Sequence, residues 1–238
     1  MKSTIIFKSA LPVLLAFSLN TLTATAQQSK NIALTHFNEV SVASGIDLYL
    51  TQSNSENIRI SGNENLIKNI EVEKSGSSLN IRYKKSINRQ HTSKGETLKV
   101  YVNYKTLQAI TASGGSDVYG QNALKTTSLK IQASGGSDIK MEIAAKDLEL
   151  NVSGGSDANL KGTVTNMNIQ SSGGSDVDAL NLVSEYAKVA ASGGSDANVH
   201  VTKGLEANAS GGSDINYKGD PAVNKTSSSK SGDVTRIK

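Results

Sequence analysis

Apolar and polar residues alternate along most of this chain, with a period of two residues. A representative stretch places Leu129, Ile131 and Ala133 on one parity and continues it with Ile139 and Met141, while Lys, Gln and Glu occupy the positions between them. Alternation of this kind is the signature of a β-strand with one face buried. Since no part of this region sustains a 3.6-residue period, the pattern predicts strands throughout.

A Ser-Gly-Gly-Ser-Asp pentapeptide interrupts the alternation six times. The copies begin at Ser113, Ser134, Ser153, Ser172, Ser192 and Ser210, at intervals of 21, 19, 19, 20 and 18 residues. Self-similarity at a fixed period is typical of solenoid proteins. A rung of ~19–20 residues at ~3.3 Å per residue has a perimeter of ~60 Å, which suits a narrow coil of strands. We therefore predict an all-β fold, a right-handed single-stranded parallel β-helix (β-solenoid), with the pentapeptides at its corners and small loops absorbing the differences in spacing.

The parity of the apolar positions predicts which way each corner residue points. If alternation continues through the bend, the first Gly and the second Ser face inward, whereas the first Ser, the second Gly and the Asp face outward. The inward hydroxyls would stack and bond the next rung's Ser or backbone. They belong to Ser116, Ser137, Ser156, Ser175, Ser195 and Ser213. Partial copies at Ser44–Asp47 and Ser231–Asp233 flank the array.

The ends of the chain predict export and a single domain. Lys2 and Lys8 precede an interrupted apolar stretch, and Ala24-Thr25-Ala26 forms a small-x-small cleavage pattern, so residues 1–26 are predicted to be a signal peptide. Residues 27–238 then form one β-solenoid domain: a less regular N-terminal cap at 37–104, the repeat array at 105–218 and a polar C-terminal cap or tail at 219–238. Residues 84–96 are predicted to be a polar loop.

Composition removes several classes of function. The chain has no cysteine, which excludes disulfides, thiol catalysis and cysteine-bound zinc. Without Lys2 and Lys8 the net charge is 23 − 21 = +2, spread along the chain, which argues against nucleic-acid binding. The exported chain contains no stretch long enough to span a membrane. No pattern indicates an oligomeric state.

The succession of motifs resembles a known family, the putative autotransporter adhesins with a head GIN domain, a domain of unknown function common in Bacteroidota. The matching segments are Phe37–Gln52, Glu64–Ile67, the serial corners and Tyr217–Pro221, although many relatives have Ser-Gly-Ala-Gly-Asp at the corner where this chain has Ser-Gly-Gly-Ser-Asp. The resemblance implies a right-handed β-helix at the cell surface or in the periplasm, and it suggests adhesion as a role.

The aspartates of the six corners are the main candidate site. They are expected to form an outward row, in which neighbouring carboxylates repel and calcium would relieve the repulsion. The favoured interpretation is that each Asp instead accepts backbone N–H groups of its own turn. The calcium candidates are Asp117, Asp138, Asp157, Asp176, Asp196 and Asp214.

Residues that break the repeat symmetry are the candidates for catalysis or ligand binding. His36, His91 and His200 lie far apart in sequence, and Arg59, Arg82 and Arg89 cluster only loosely, so no catalytic residue and no cofactor is predicted. Aromatic platforms would favour carbohydrate binding, but the tyrosines do not recur at one repeat position; they are Tyr49, Tyr101, Tyr104, Tyr119, Tyr186 and Tyr217.

The sequence therefore predicts an exported, non-enzymatic β-solenoid that acts as an adhesin or a cell-surface scaffold, located in the periplasm, on the outer surface or outside the cell. Its expected partner is a surface glycan or a protein ligand, and one polar patch per rung would allow multivalent binding. Two alternatives stay open. They are a polysaccharide-active β-helix enzyme of the lyase or hydrolase type, and a calcium-stabilised structural protein.

Overall fold

A computed structural model describes residues 28–84, 98–225 and 231–238. Strands account for 71% of these described residues and helix for 3%, arranged as a β-solenoid of about 6 turns. The predicted β-solenoid is thus confirmed. The signal peptide predicted at 1–26, Arg89, His91 and nearly all of the polar loop predicted at 84–96 lie outside the described residues.

The repeat array consists of strands that begin and end at the pentapeptides. A strand typically starts at the Asp of one copy, runs through a whole rung and ends at the first Ser of the next. The array contains β8 (Ala109–Ser113), β9 (Val118–Gly120), β10 (Leu124–Ser134), β11 (Asp138–Ser153), β12 (Asp157–Ser172), β13 (Asp176–Ser192), β14 (Asp196–Ala209) and β15 (Asp214–Lys218).

Successive rungs pair in parallel and in register. From β10 to β15 each strand bonds the next, and corner residues lie opposite their equivalents, as in the pairing of Asp138 with Asp157 and of Ser153 with Ser172. Irregularities within the strand pairs β12–β13 and β13–β14 absorb differences in rung length. Extra residues in strands, not only loops, therefore accommodate the variable spacing, as β-bulges do in other sheets.

The N-terminal region combines parallel rungs with antiparallel strands. Its elements are β1 (Gln28–Ile32), β2 (Glu39–Ala43), β3 (Ile46–Gln52), β4 (Asn57–Gly62), α1 (Glu64–Asn69), β5 (Ile70–Ser75), β6 (Ser78–Tyr83) and β7 (Leu98–Tyr104). The pairs β1–β4, β4–β7 and β5–β6 are antiparallel. Helix α1 begins after Asn63, whose side chain accepts the Asn65 N–H at 2.8 Å, and buries Leu66 and Ile67.

The first rung of the coil lies between two rungs that follow it in sequence. Strand β2 pairs in parallel with both β6 and β8, and β3 pairs with both β7 and β9. The partial copy between β2 and β3 forms a true corner, since Ser44 and Gly45 have positive φ and the Ser44 N–H donates to the carbonyl of Ser113 at 3.2 Å. Residues far apart in the chain therefore become neighbours on this part of the surface.

Both glycines of every full corner face solvent, so the expectation that the first glycine points inward is wrong. Gly154 and Gly155, for example, have φ of 68° and 69° and are exposed. Two consecutive residues in the left-handed region turn the chain, so strand alternation does not continue through the corner. A Cβ on the first glycine would approach the preceding corner's backbone, at 3.2 Å for Gly154, whereas the second glycine has open space around it.

The second serine of every corner is completely buried, as the parity predicts. The Ser116, Ser137, Ser156, Ser175, Ser195 and Ser213 side chains form a row with an exposure of 0%. In the early rungs each hydroxyl accepts a backbone N–H of the preceding rung, as Ser156 Oγ does from Ser137 at 3.0 Å. In the last rungs the hydroxyl instead donates to carbonyl oxygens, as Ser213 does to Ala191 at 2.8 Å. The row thus joins rungs through buried polar contacts.

A single apolar core runs the length of the coil, from Phe37 to Tyr217, and it consists largely of Leu, Ile and Val. At the C-terminus, the segment predicted as a polar cap or tail contains two exposed strands, β16 (Ala222–Lys225) and β17 (Asp233–Arg236), which pair with β14 and β15. Within the described residues, no helix is long and apolar enough to cross a membrane.

Candidate functional site

The corner aspartates form the predicted outward row, but their hydrogen bonds differ from the expectation. In three places the carboxylate accepts the backbone N–H of the next rung's aspartate, rather than one from its own turn. These bonds join Asp138 to Asp117 at 3.3 Å, Asp176 to Asp157 at 3.3 Å and Asp214 to Asp196 at 3.2 Å. The row therefore helps to join rungs, because the carboxylate of one corner satisfies a backbone donor of the next.

Calcium binding by this row stays an untested alternative. Across 28–84, 98–225 and 231–238, no group of three or more His, Asp or Glu side chains is placed to hold a metal ion. Each corner contributes one carboxylate, and calcium prefers six to eight oxygen ligands.

Two carboxyl groups near the N-terminal end of the row, those of Asp47 and Asp138, have raised pKa values. Burial raises the pKa of Asp47, the neighbouring charge of Asp117 raises it further, and Lys99 opposes the change. Burial also raises the pKa of Asp138, with added repulsion from Asp117 and Asp157. A raised carboxyl pKa means that the folded state disfavours the charged form.

We expect the Asp47→Asn substitution to stabilise the protein at pH 7 by less than about 1 kcal/mol, because the side chain is partly exposed. Because the pKa of the Asp47 carboxyl group is raised on folding, the folded state binds the carboxyl proton more tightly than the unfolded state does. Stability is therefore lost as pH rises from the unfolded pKa near 3.8 through the folded pKa. The gain should disappear at pH 3, where both states are protonated.

Urea denaturation at pH 7 and pH 3 measures the effect. Asp220→Asn is the control, because that carboxylate is highly exposed and pairs with Arg236 at 3.2 Å, so neutralising it should give no gain. A lower stability of Asp47→Asn at pH 7 would contradict the prediction.

Three tyrosines from strands that are distant in sequence form a stack on the outer surface. Strand register places Tyr49 of β3 between Tyr101 of β7 and Tyr119 of β9. The ring centroids of Tyr49 and Tyr101 are 4.9 Å apart, and those of Tyr49 and Tyr119 are 5.2 Å apart, with interplanar angles of 18° and 23°. Each ring is partly exposed. We call these three residues the tyrosine stack.

Charged residues surround the tyrosine stack. The Arg59 guanidinium lies 3.9 Å from the Tyr101 ring centroid, a cation–π contact that covers that end. At the other end the Tyr119 hydroxyl donates to Asp117 Oδ2 at 3.2 Å. Burial raises the pKa of Tyr119 to about 12, with further contributions from the charge and hydrogen bond of Asp117. The stack is therefore held at both ends, and the Tyr119 phenol keeps its proton at physiological pH.

The tyrosine stack was missed at the level of sequence because its members share no repeat position. Tyr101 and Tyr119 lie 52 and 70 residues after Tyr49, and only the strand pairing aligns them. The sequence indicated only that each of the three side chains faces outward, because each tyrosine lies beside or between positions of the alternating pattern that are buried. The remaining candidate tyrosines are elsewhere: Tyr104 and Tyr217 are buried, and Tyr186 is 50% exposed on β13.

Two surface depressions accompany exposed tyrosines. One of about 250 Å³ adjoins Tyr119 and is lined by Tyr119, Gly120, Gln121, Asn122, Lys140, Met141, Glu142, Asn159 and Lys161. The other, of about 610 Å³, adjoins Tyr186 on β13. Its charged wall is occupied by the ion pairs Lys130–Glu149 at 2.9 Å and Lys188–Glu206 at 2.8 Å.

The symmetry-breaking histidines and arginines that the structure describes, His36, His200, Arg59 and Arg82, do not form a site together. His36 precedes β2 and contacts Thr35 and Glu56, while His200 lies in β14. Arg82 pairs with Glu71 and Glu73, and Arg59 covers Tyr101. These contacts give the two arginines structural roles on the surface.

Comparisons with known proteins agree with this architecture. Residues 36–221 match the family described as putative auto-transporter adhesin, head GIN domain. A putative adhesin from Bacteroides fragilis has a similar structure, with a TM-score of 0.78, 23% identity and coverage of 90% of this chain and 98% of that one.

Two further solved structures share the fold. A putative adhesin from Parabacteroides merdae gives a TM-score of 0.72 at 24% identity, covering 89% of this chain and 96% of its own. A putative lipid binding protein from Parabacteroides distasonis gives 0.65 at 23% identity, covering 89% and 97%. Comparison with curated protein sequences gives no significant match. At these identities the structural likeness shows the fold alone.

Proposed function

The chain belongs to the putative auto-transporter adhesin, head GIN domain family, and on this basis we propose that it is an exported, non-enzymatic binding protein that attaches to a surface ligand through the tyrosine stack. Export is supported by the signal-peptide pattern of residues 1–26. The ligand at this level is a surface glycan or a protein, and the site of action is the periplasm, the cell surface or the exterior.

The observation that carries this proposal is the solvent-facing tyrosine stack itself. Tyrosine is enriched at binding sites because its ring supplies contact area at a low cost in side-chain entropy and its hydroxyl bonds polar groups. The rings of Tyr49 and Tyr101 are already fixed by each other and by Arg59. Binding to a preorganised surface loses little conformational freedom, which favours affinity.

A binding role also fits the arrangement of the acidic residues better than catalysis does. Hydrolysis of a glycosidic bond requires two carboxyl groups flanking one bond, with one of them held in its acid form. Here the pKa values of Asp47 and Asp138 are raised by burial and by neighbouring aspartates within a repeated row. In this row the backbone N–H of one aspartate donates to the carboxylate of the aspartate in the preceding corner. The aspartates thus have a structural role in joining rungs, which explains their presence without catalysis.

Removing two rings of the tyrosine stack should strongly weaken attachment. We expect beads coated with the purified protein to adhere to mucin-coated surfaces and to epithelial monolayers. The double variant Tyr49→Ala/Tyr101→Ala should reduce adhesion at least about tenfold, since the few aromatic hot-spot residues of a binding surface contribute about 2 kcal/mol or more each. Bead retention under flow measures the effect.

Tyr186→Ala is the matched control, because it removes an exposed tyrosine on another part of the coil. Its adhesion should equal that of the unmodified protein. Absence of adhesion to both surfaces would contradict the proposal. So would polysaccharide turnover that is lost when a single acidic or basic residue outside the repeat is replaced.

A further inference from the structure

The tyrosine stack is closed at one end and open at the other. Arg59 covers the outer face of Tyr101, and Tyr49 is covered on both faces by its neighbours. The next strand beyond Tyr119 is β11, whose residue paired with Tyr119 is Lys140 rather than another aromatic residue. The stack therefore ends at Tyr119, and the 250 Å³ pocket begins there.

The pocket combines an apolar floor with a polar rim. Gly120 follows the outward-facing Tyr119, and the buried Met141 follows the outward-facing Lys140, so both line the depression from below. The rim carries side chains that donate and accept hydrogen bonds. They are the amides of Gln121, Asn122 and Asn159, the ammonium groups of Lys140 and Lys161 and the carboxylate of Glu142.

Several of these rim groups are already oriented, and others are available. Lys161 pairs with Glu142 at 3.1 Å, the Asn159 amide donates to Asp178 at 3.2 Å and Asn122 is bonded to Gln52. Within the described part of the chain, the side chains of Gln121 and Lys140 make no hydrogen bond or ion pair. A ligand could therefore bond to these two without displacing an existing contact.

We propose that this pocket binds a saccharide, with the apolar face of one sugar ring stacked on Tyr119. This rests on the proposed function and names the ligand class for it. The C–H groups on the face of a sugar ring are attracted to the negative face of an aromatic ring. The hydroxyls at its edge both donate and accept, which matches a rim of amide, ammonium and carboxylate groups.

The size of the pocket supports a single ring. Its volume is below the 300–1,000 Å³ typical of sites that enclose drug-sized ligands. A ring at this position would continue the stack where β11 provides no aromatic side chain. Longer saccharides would extend over the neighbouring surface, so that the ring on Tyr119 acts as the anchor.

Binding of the purified protein to a panel of immobilised neutral and acidic saccharides tests this inference. At least one saccharide should bind, and Tyr119→Ala should weaken that binding about tenfold or more, comparable to the loss when a stacked ring is removed from other ligand platforms. Tyr119→Phe keeps the ring and loses only the hydroxyl bond to Asp117, so it should retain most of the binding. Tyr186→Ala should leave it unchanged.

The variants also separate a structural effect from a direct contact. If Tyr119→Ala unfolds, Lys140→Trp replaces it as the test and Tyr119→Phe serves as its control; the tryptophan should fill the pocket and weaken saccharide binding while the variant melts like the unmodified protein. Saccharide binding that survives a folded Tyr119→Ala variant, or that survives Lys140→Trp where Tyr119→Ala unfolds, would overturn the inference.

Failure of this inference is distinguishable from failure of the proposed function. If no saccharide binds but bead adhesion to deglycosylated, protein-coated surfaces depends on Tyr49 and Tyr101, the ligand is a protein and only the saccharide inference is overturned. If neither saccharides nor any such surface is bound, both are overturned.

Discussion

Replacing Gly162 with alanine is expected to destabilise the solenoid by about 3 to 5 kcal/mol, from a strained backbone and an overfilled site together. Gly162 has φ of 117°, a region that side-chain-bearing residues rarely adopt. A Cβ there would clash with the carbonyl oxygen of Ile143 on the neighbouring rung. Because that oxygen belongs to a strand held on both sides, it cannot move without breaking rung pairing.

Urea denaturation of Gly162→Ala beside Gly155→Ala measures the contribution of the close approach. Gly155 also has a positive φ, of 69°, but a Cβ there meets nothing within 4 Å. Its substitution should cost only the backbone term, about 1 to 2 kcal/mol. Equal destabilisation by the two variants would show that the neighbouring strand yields and would refute the prediction.

The second large effect concerns the buried serine row: Ser156→Ala should cost about 1 to 3 kcal/mol. Ser156 Oγ accepts the Ser137 N–H at 3.0 Å, and the side chain has an exposure of 0%. Alanine fits the space but leaves that backbone donor buried without a partner, which costs the desolvation of the group. Thermal or urea unfolding measures the loss.

Ser153→Ala is the internal control for this variant. Ser153 is the first serine of the same corner and is half-buried, and it makes no side-chain hydrogen bond within the described residues. Its replacement should change stability by less than about 0.5 kcal/mol. If Ser153→Ala and Ser156→Ala behave alike, the inward hydroxyls do not contribute as we infer.

The first glycine and the second serine of each corner have different roles in the packing of successive rungs. The first glycine allows backbones of successive corners to approach, and the second serine satisfies the buried donors that this approach creates. In this chain, a residue larger than glycine at the second position of the corner, or loss of the hydroxyl at the fourth, is therefore expected to destabilise the packing between rungs. The repetition of the pentapeptide is thus explained by packing between rungs, independently of any ligand.

Sequence alone was sufficient for the array because its determinants are local. Period-two alternation fixes which residues of each rung face inward, and the pentapeptide marks where each rung turns. The inward serines and the outward aspartates follow from the same parity. The alternation gave a wrong orientation only for the first glycine of the corner. Two consecutive residues in the left-handed region turn the chain there and interrupt the alternation.

The candidate site, by contrast, was decided by tertiary structure. The tyrosine stack exists because β3 lies between β7 and β9, although β7 and β9 come later in the chain. That order depends on how β4, α1, β5 and β6 return the chain to the far side of the first rung. Local pattern identifies Tyr49, Tyr101 and Tyr119 as outward residues, but only the register between distant strands makes them one surface with a pocket at its end.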